Sequence, residues 1–182
     1  MKPQVVAHRG ASDEHAEHTL GAYEKALEAG AEGLECDVRL TADGHLVCVH
    51  DRDLRRTTGS RGLISTKTLA ELDELDFAAW KHPWADLNDE APDTDTAAGR
   101  VLTLRALLET AADYDRRIEV LIETKHPTRY AGLVERRVTE LLSDFGWDRP
   151  ASPARASPGS TRRRPRTPSC ASSPARTSAS VA

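Results

Sequence analysis

Apolar and polar positions along residues 1–150 fall into short segments with two alternating periods. Val5-Val6-Ala7 is an apolar run that stops at His8-Arg9-Gly10, which predicts a strand and its end. Thr19 is a candidate N-cap for a helix carrying Leu20, Tyr23 and Leu27 on one face, with Gly30 at its C-terminal end. Residues 33–40 alternate: Leu34, Cys36 and Val38 point one way, and Glu35, Asp37 and Arg39 point the other. Ala42-Asp43-Gly44 signals a turn. Residues 46–49 are continuously apolar, which predicts a strand buried on both faces, ending at His50-Asp51. Thr68-Leu69-Ala70-Glu71 has the form of a capping box and opens a short helix with Leu69, Leu72 and Leu75. Residues 81–99 read as an acidic loop punctuated by Pro and Gly. Thr103 caps a further helix with Leu104, Leu107, Leu108 and Ala111. Val120-Leu121-Ile122 predicts a buried strand that ends at Glu123-Thr124-Lys125. A last amphipathic helix carries Leu133, Val134, Val138, Leu141, Leu142 and Phe145, and Gly146 ends it.

Strand and helix repeat, and the strands read as buried. That pattern predicts an α/β fold with a parallel sheet, about four β/α units in all. Polar residues end or line each of the four strands. In a parallel barrel the C-terminal ends of all strands share one rim, where the active site lies. Residues remote in sequence then converge there.

Composition changes the picture at the C-terminal end. Of 182 residues, 30% are charged and 38% hydrophobic, close to an ordinary globular chain. The distribution is uneven. Residues 1–150 hold all 29 acidic residues against 19 basic ones, a balance of −10, whereas 151–182 hold six arginines and no acid. Residues 151–182 also contain eight serines, seven alanines and five prolines, with Val181 as the one large aliphatic residue. Such a segment has too little to bury to offset its ordering entropy, so it is expected to be a disordered tail. An Arg/Ala/Pro/Ser mixture is also what GC-rich DNA gives when read out of frame, and the tail is read as an out-of-frame end. A basic arm for nucleic acid is disfavoured, because the tail has no aromatic residue to stack on bases and the whole chain carries −4. No apolar run of membrane-spanning length and no signal-like N-terminus is present, and there are only three cysteines. These features predict a cytoplasmic protein with no stable membrane anchor and no disulfide framework, Cys36 and Cys48 being buried small hydrophobes.

Candidate chemistry sits at the strand ends. Glu35 and Asp37 are two apart on a strand, so their carboxylates share a face and repel unless a cation lies between them. Glu123 should reach the same rim. Three carboxylates suit a hard divalent cation, Mg²⁺, Ca²⁺ or Mn²⁺. His8 and His50 close neighbouring strands and could serve as general acid and base near neutral pH. Arg9 could grip a phosphate oxygen, and Lys125 could hold a phosphate or a carboxylate ligand. The set suits an anionic phosphorus centre. No phosphate-cradling glycine loop and no serine nucleophile elbow is present.

Val6-Ala7-His8-Arg9-Gly10-Ala11, Glu17-His18-Thr19-Leu20, Gly33-Leu34-Glu35-Cys36-Asp37-Val38, Asp43-Gly44 and Val49-His50-Asp51 together resemble the glycerophosphodiester phosphodiesterase family. The resemblance continues through Arg56-Thr57-Thr58-Gly59 and Ile122-Glu123-Thr124-Lys125, covering residues 4 to about 148. It implies a TIM barrel, here partial, that hydrolyses glycerophosphodiesters to sn-glycerol 3-phosphate and an alcohol in glycerophospholipid catabolism. It implies Glu35, Asp37 and Glu123 as metal ligands, His8 and His50 as the acid–base pair, Arg9 on phosphate, and Glu17 as a matching acid near the first histidine. The family usually reads Pro-Glu-Asn-Thr where this chain reads Ala16-Glu17-His18-Thr19. A full (β/α)₈ barrel takes about 250 residues, so residues 1–150 correspond to the N-terminal part of such a domain. The alternative reading is a non-catalytic fragment that at most binds metal or a partner.

Overall fold

The computed structural model describes residues 3–81, 99–125, 132–147 and 178–181. The expected acidic loop falls almost wholly outside them, as do residues 151–177 of the tail. Strand β1 (Val6–His8) leads into helix α1 (Leu20–Glu28), and β2 (Gly33–Leu40) follows. Then come β3 (Leu46–Cys48) and the short helices α2 (Arg55–Thr58) and α3 (Leu69–Asp73). Helix α4 (Leu104–Asp113), β4 (Glu119–Thr124), α5 (Leu133–Asp144) and β5 (Ser178–Val181) complete the set.

The helices start where capping chemistry predicts. Thr19 accepts from Ala22 N, Thr103 accepts from Ala106 N, and Thr68 with Glu71 forms the reciprocal capping box. Each cap satisfies an orphan N–H and contributes about 1 kcal/mol. Helix α1 buries Ala22, Tyr23, Ala26 and Leu27. Leu20, expected on that face, sits at the first turn and is exposed.

Strands β1, β2 and β4 are parallel and lie in the order β1-β2-β4. Leu34, Cys36, Val38, Val120 and Ile122 are fully buried and pack on α1, α4 and α5. The opposite face of β2 carries Glu35, Asp37 and Arg39. The alternation read from sequence is therefore the division between the helix-facing core and the barrel interior.

Strand β3 corrects the expected topology. It is buried on both faces, as its apolar run predicts: Leu46 and Cys48 join the main core, while Val47 and Val49 join a second cluster with Leu54, Ile64, Leu72, Phe77 and Val101. It runs antiparallel to β2, however, with Val38 opposite Cys48 and Leu40 opposite Leu46. The turn at residues 41–44 is too short for a crossover to a parallel strand. Among the described residues up to 147 there are thus three parallel strands with their helices and one hairpin excursion, rather than four units. Because β4 occupies one edge of β2, β1 and β3 share the other: β1 over Gly33–Glu35 and β3 over Val38–Leu40.

The tail also departs from expectation at one point. Ser178–Val181 forms β5, parallel to β4, with Ile122 opposite Val181. The outer edge of β4 offers unpaired backbone groups, and the segment that takes them contains the tail's one large aliphatic residue. Among the described residues no helix is long and apolar enough to cross a membrane. Cys36 and Cys48 are free and buried.

Candidate functional site

Sheet register assembles the acidic cluster. Asp37 on β2 lies opposite Glu123 on β4, and His8 at the end of β1 lies opposite Glu35. Oxygens of Glu35, Asp37 and Glu123 fall within 4.8 Å of one another. Asp37 is sunk deepest, with its side chain 1% exposed. Glu35 is partly buried and Glu123 half-exposed.

Cations hold this cluster together. Arg9 Nε lies 2.9 Å from Asp37 Oδ2, His18 Nε2 lies 3.1 Å from the same oxygen, and Lys125 Nζ lies 3.2 Å from Oδ1. Lys125 also pairs with Glu123. Burial would raise the Asp37 carboxyl, but the His18 hydrogen bond and the Lys125 and Arg9 charges outweigh it and hold it well below the usual range. Glu35 moves the other way: burial first, and the Asp37 charge second, push its carboxyl up. Asp37 Oδ1 is buried and makes no well-aligned hydrogen bond. Three oxygen donors on one rim, two of them at like-charged neighbouring positions, and an under-satisfied buried carboxylate oxygen together fit a hard divalent cation.

Both histidines reach this rim, by different routes. His8 follows β1 directly; its side chain is 68% exposed and its Nε2 lies 3.8 Å from Glu35 Oε2. His50 arrives on the returning strand: Val49 N donates to Asp37 O, and Arg39 donates from Nε and Nη2 to His50 O at 3.0 and 2.7 Å. On the same edge of β2, Arg9 N donates to Glu35 O. The two histidine-bearing segments are therefore clamped to carbonyls only two residues apart. A parallel-barrel strand end was the expected origin of His50; the antiparallel hairpin is the observed one.

Arg9 and His18 both adopt left-handed backbone, at φ 60 and 59. Few non-glycine residues do so, and such conformations concentrate at functional sites. His18 is 4% exposed, and its ring bridges Tyr23 Oη (2.8 Å) and Asp37. Tyr23 Oη in turn donates to Glu35 O at 3.0 Å. The residue at which this chain departs from the usual family motif thus braces two members of the acidic cluster.

A second chain of contacts runs from His50. Its Nδ1 lies 2.7 Å from Asp51 Oδ1, and Asp51 Oδ2 accepts from Arg56 Nε at 2.6 Å. Arg56 also donates from both terminal nitrogens to Glu17 at 3.1 and 2.6 Å, and Glu17 lies 3.4 Å from Arg9 Nη1. Burial would raise the Glu17 and Asp51 carboxyls, but Arg56 outweighs it in both, so both sit below the usual range. The resemblance gave Glu17 as an acid near the first histidine; in the fold its carboxylate is taken up by Arg9 and Arg56. Arg9 Nη2 makes no hydrogen bond among the described residues. Asp51, Arg56 and Tyr23 were not singled out from sequence as site residues. Asp51 had a signal in adjoining His50, whereas Tyr23 read as core and Arg56 as one member of a longer motif.

Residues 8–156 match the sequence pattern of the Glycerophosphoryl diester phosphodiesterase family. A "Probable glycerophosphodiester phosphodiesterase 1" of Mycobacterium tuberculosis is 52% identical over 154 residues, covering 85% of this chain and 54% of that protein. A Bacillus subtilis "Glycerophosphodiester phosphodiesterase" is 35% identical over 137 residues, covering 75% and 45%. Among solved structures, an Oleispira antarctica phosphodiesterase in complex with the product sn-glycerol-3-phosphate superposes with a TM-score of 0.66 at 32% identity, covering 78% of this chain and 52% of that one. The chain spans about half the length of these relatives. Its parallel sheet, its rim of carboxylates and histidines and its sequence agree on one assignment: the chain belongs to the glycerophosphoryl diester phosphodiesterase family.

Proposed function

We propose that the rim is a phosphodiesterase centre acting on glycerophosphodiesters, with Glu35, Asp37 and Glu123 holding a divalent cation, Mg²⁺, Ca²⁺ or Mn²⁺. The observation that carries this reading is the convergence of three carboxylates within 4.8 Å beside His8, at a centre backed by cations. A cation bound there would supply charge for the phosphoryl oxygens. Arg9 is fixed by Asp37 and Glu17 through Nε and Nη1, which leaves Nη2 to bind a phosphate oxygen. One histidine takes the proton of the substrate's glycerol hydroxyl as that oxygen bonds to phosphorus. The other gives a proton to the departing alcohol oxygen as its bond to phosphorus breaks. Water then opens the resulting cyclic phosphate, giving sn-glycerol 3-phosphate. His50 is suited to this work because Asp51 fixes its Nδ1 and leaves Nε2 for the substrate.

The reading is tested by following sn-glycerol 3-phosphate release from glycerophosphocholine by the 182-residue chain. Release should stop on chelation and return on adding Mg²⁺, Ca²⁺ or Mn²⁺. Release that survives the chelator, or none with any of the three cations, overturns it. The second outcome favours a fragment that binds metal without turnover, which metal titration of the same sample identifies.

A further inference from the structure

Beyond the acidic cluster, the same rim holds a cavity of about 170 Å³ between the end of β2, the turn at Ile64–Thr66 and the start of α5. Arg39, Arg52 and Lys125 line it, with Ser65 and apolar Ile64 and Leu133 among the walls. Lys125 is already neutralised by Asp37 and Glu123. The two arginines have no carboxylate in contact among the described residues. Arg39 is half-buried and donates to the neutral carbonyl of His50; Asp37 and Asp51 attract it only at a distance, and among the described residues no carboxylate lies within 4 Å of it or of Arg52. Burial of that guanidinium is only partly offset by the Asp37 and Asp51 charges, which act on it from beyond contact, and Arg52 across the same cavity adds repulsion. An anion in the cavity would relieve both. The first turn of α5 points the same way: Gly132, its N-cap, offers no side-chain acceptor, and Leu133 and Val134 line the cavity. Glu135, the acid of that turn, accepts from Thr124 Oγ1 at the end of β4.

Arg39 follows Asp37 by two residues on one face of β2, about 7 Å further toward the rim. With phosphorus at the acidic cluster, an alcohol departing outward along β2 would pass Asp37 and meet this cavity. We propose that the Arg39–Arg52 cavity receives an acidic group, carboxylate or phosphate, on the alcohol of the diester. The protein then favours head groups that carry their own negative charge. This rests on the phosphodiesterase reading above and adds a head-group preference to it.

The test is calorimetric binding to the full 182-residue chain in chelator, where no turnover intervenes, using matched diesters. Glycerophosphoserine differs from glycerophosphoethanolamine by one carboxylate, and glycerophosphoinositol 4-phosphate differs from glycerophosphoinositol by one phosphate. The acidic member of at least one pair should bind about tenfold tighter, the scale of one charge-assisted contact. The pair that shows the preference tells whether carboxylate or phosphate is held. Arg52→Glu, at an exposed position, should bring that pair to parity, and Arg52→Lys should keep most of the preference. Arg39→Gln should also lower it, but that variant loosens the His50 carbonyl, so Arg52 carries the test. Equal affinity within both pairs overturns the cavity assignment and leaves the phosphodiesterase reading standing. A preference that Arg52→Glu leaves unchanged overturns it as well. No binding of any of the four diesters overturns the cavity assignment, while the phosphodiesterase reading, whose cation the chelator removes, is judged by the turnover assay above.

Discussion

Gly10 is the point at which backbone conformation and packing meet to set the rim. It adopts φ +84, and a Cβ built on it would lie 2.7 Å from the Ala22 carbonyl carbon and 2.8 Å from its Cβ. The neighbouring Ala11 N donates to Ala22 O at 2.8 Å, so the loop after β1 is pinned to the backbone of α1. Gly10→Ala therefore carries two costs. Left-handed backbone costs a non-glycine residue about 1–2 kcal/mol. Forcing an extra carbon into close packing costs about 1–3 kcal/mol, and here the atoms met belong to a helix backbone that cannot swing aside. Gly30 is the internal control. It has φ +93, and a Cβ there meets nothing within 4 Å, so Gly30→Ala carries the first cost alone. Urea unfolding followed by circular dichroism should show Gly10→Ala losing about 2–5 kcal/mol, and more than the about 1–2 kcal/mol of Gly30→Ala. Equal losses would refute the close-approach argument.

His8→Ala and His50→Ala should each lower kcat by about 10²–10⁴, the usual scale of acid–base catalysis, while metal titration stays unchanged; a variant keeping most of its turnover leaves the mechanism. His18→Ala removes the bridge between Tyr23 Oη and Asp37 and should cost about 1–3 kcal/mol in urea unfolding, whereas a loss below about 0.5 kcal/mol would show that the bridge is idle. Asp37, Glu17 and Asp51 have folded carboxyls lowered below their ordinary values, so their stabilisation is present above about pH 4 and is lost as pH falls further. Asp37→Asn should flatten that acid limb, and an unaltered limb would contradict the ion-pair account. Glu35 has the opposite sign: its raised carboxyl makes its ionised form unfavourable in the fold at neutral pH, so bound cation should stabilise the protein, by about 2.7 kcal/mol at a hundred times Kd. No rise in the urea midpoint with Mg²⁺, Ca²⁺ or Mn²⁺ would count against the site.

Local chemistry is what the sequence determined unaided. The threonine caps at Thr19, Thr68 and Thr103 were legible because capping is settled within four residues. The two faces of β2 were legible because side-chain alternation along a strand has a fixed period. The grouping of Glu35, Asp37 and Glu123 was legible because parallel strands end on one rim, whereas the direct pairing of β2 with β4 came only with the fold. Tertiary structure decided what depends on how remote segments meet. Residues 46–49 have the same apolar run whether parallel or antiparallel; the short turn before them and the second cluster around Leu54 and Phe77 chose the hairpin, and with it the route of His50. Tyr23 reads as a core residue from its helical position, and only the fold shows its hydroxyl aimed through His18 at Asp37. Arg56 reads as one member of a longer motif until the fold closes Asp51 and Glu17, the latter 39 residues earlier in the chain, on it. Val181, alone in an Arg/Ala/Pro/Ser tail, gave no strand signal of its own. Its strand exists because the edge of β4 presents unpaired backbone donors and acceptors, which are properties of the folded sheet and of no local sequence.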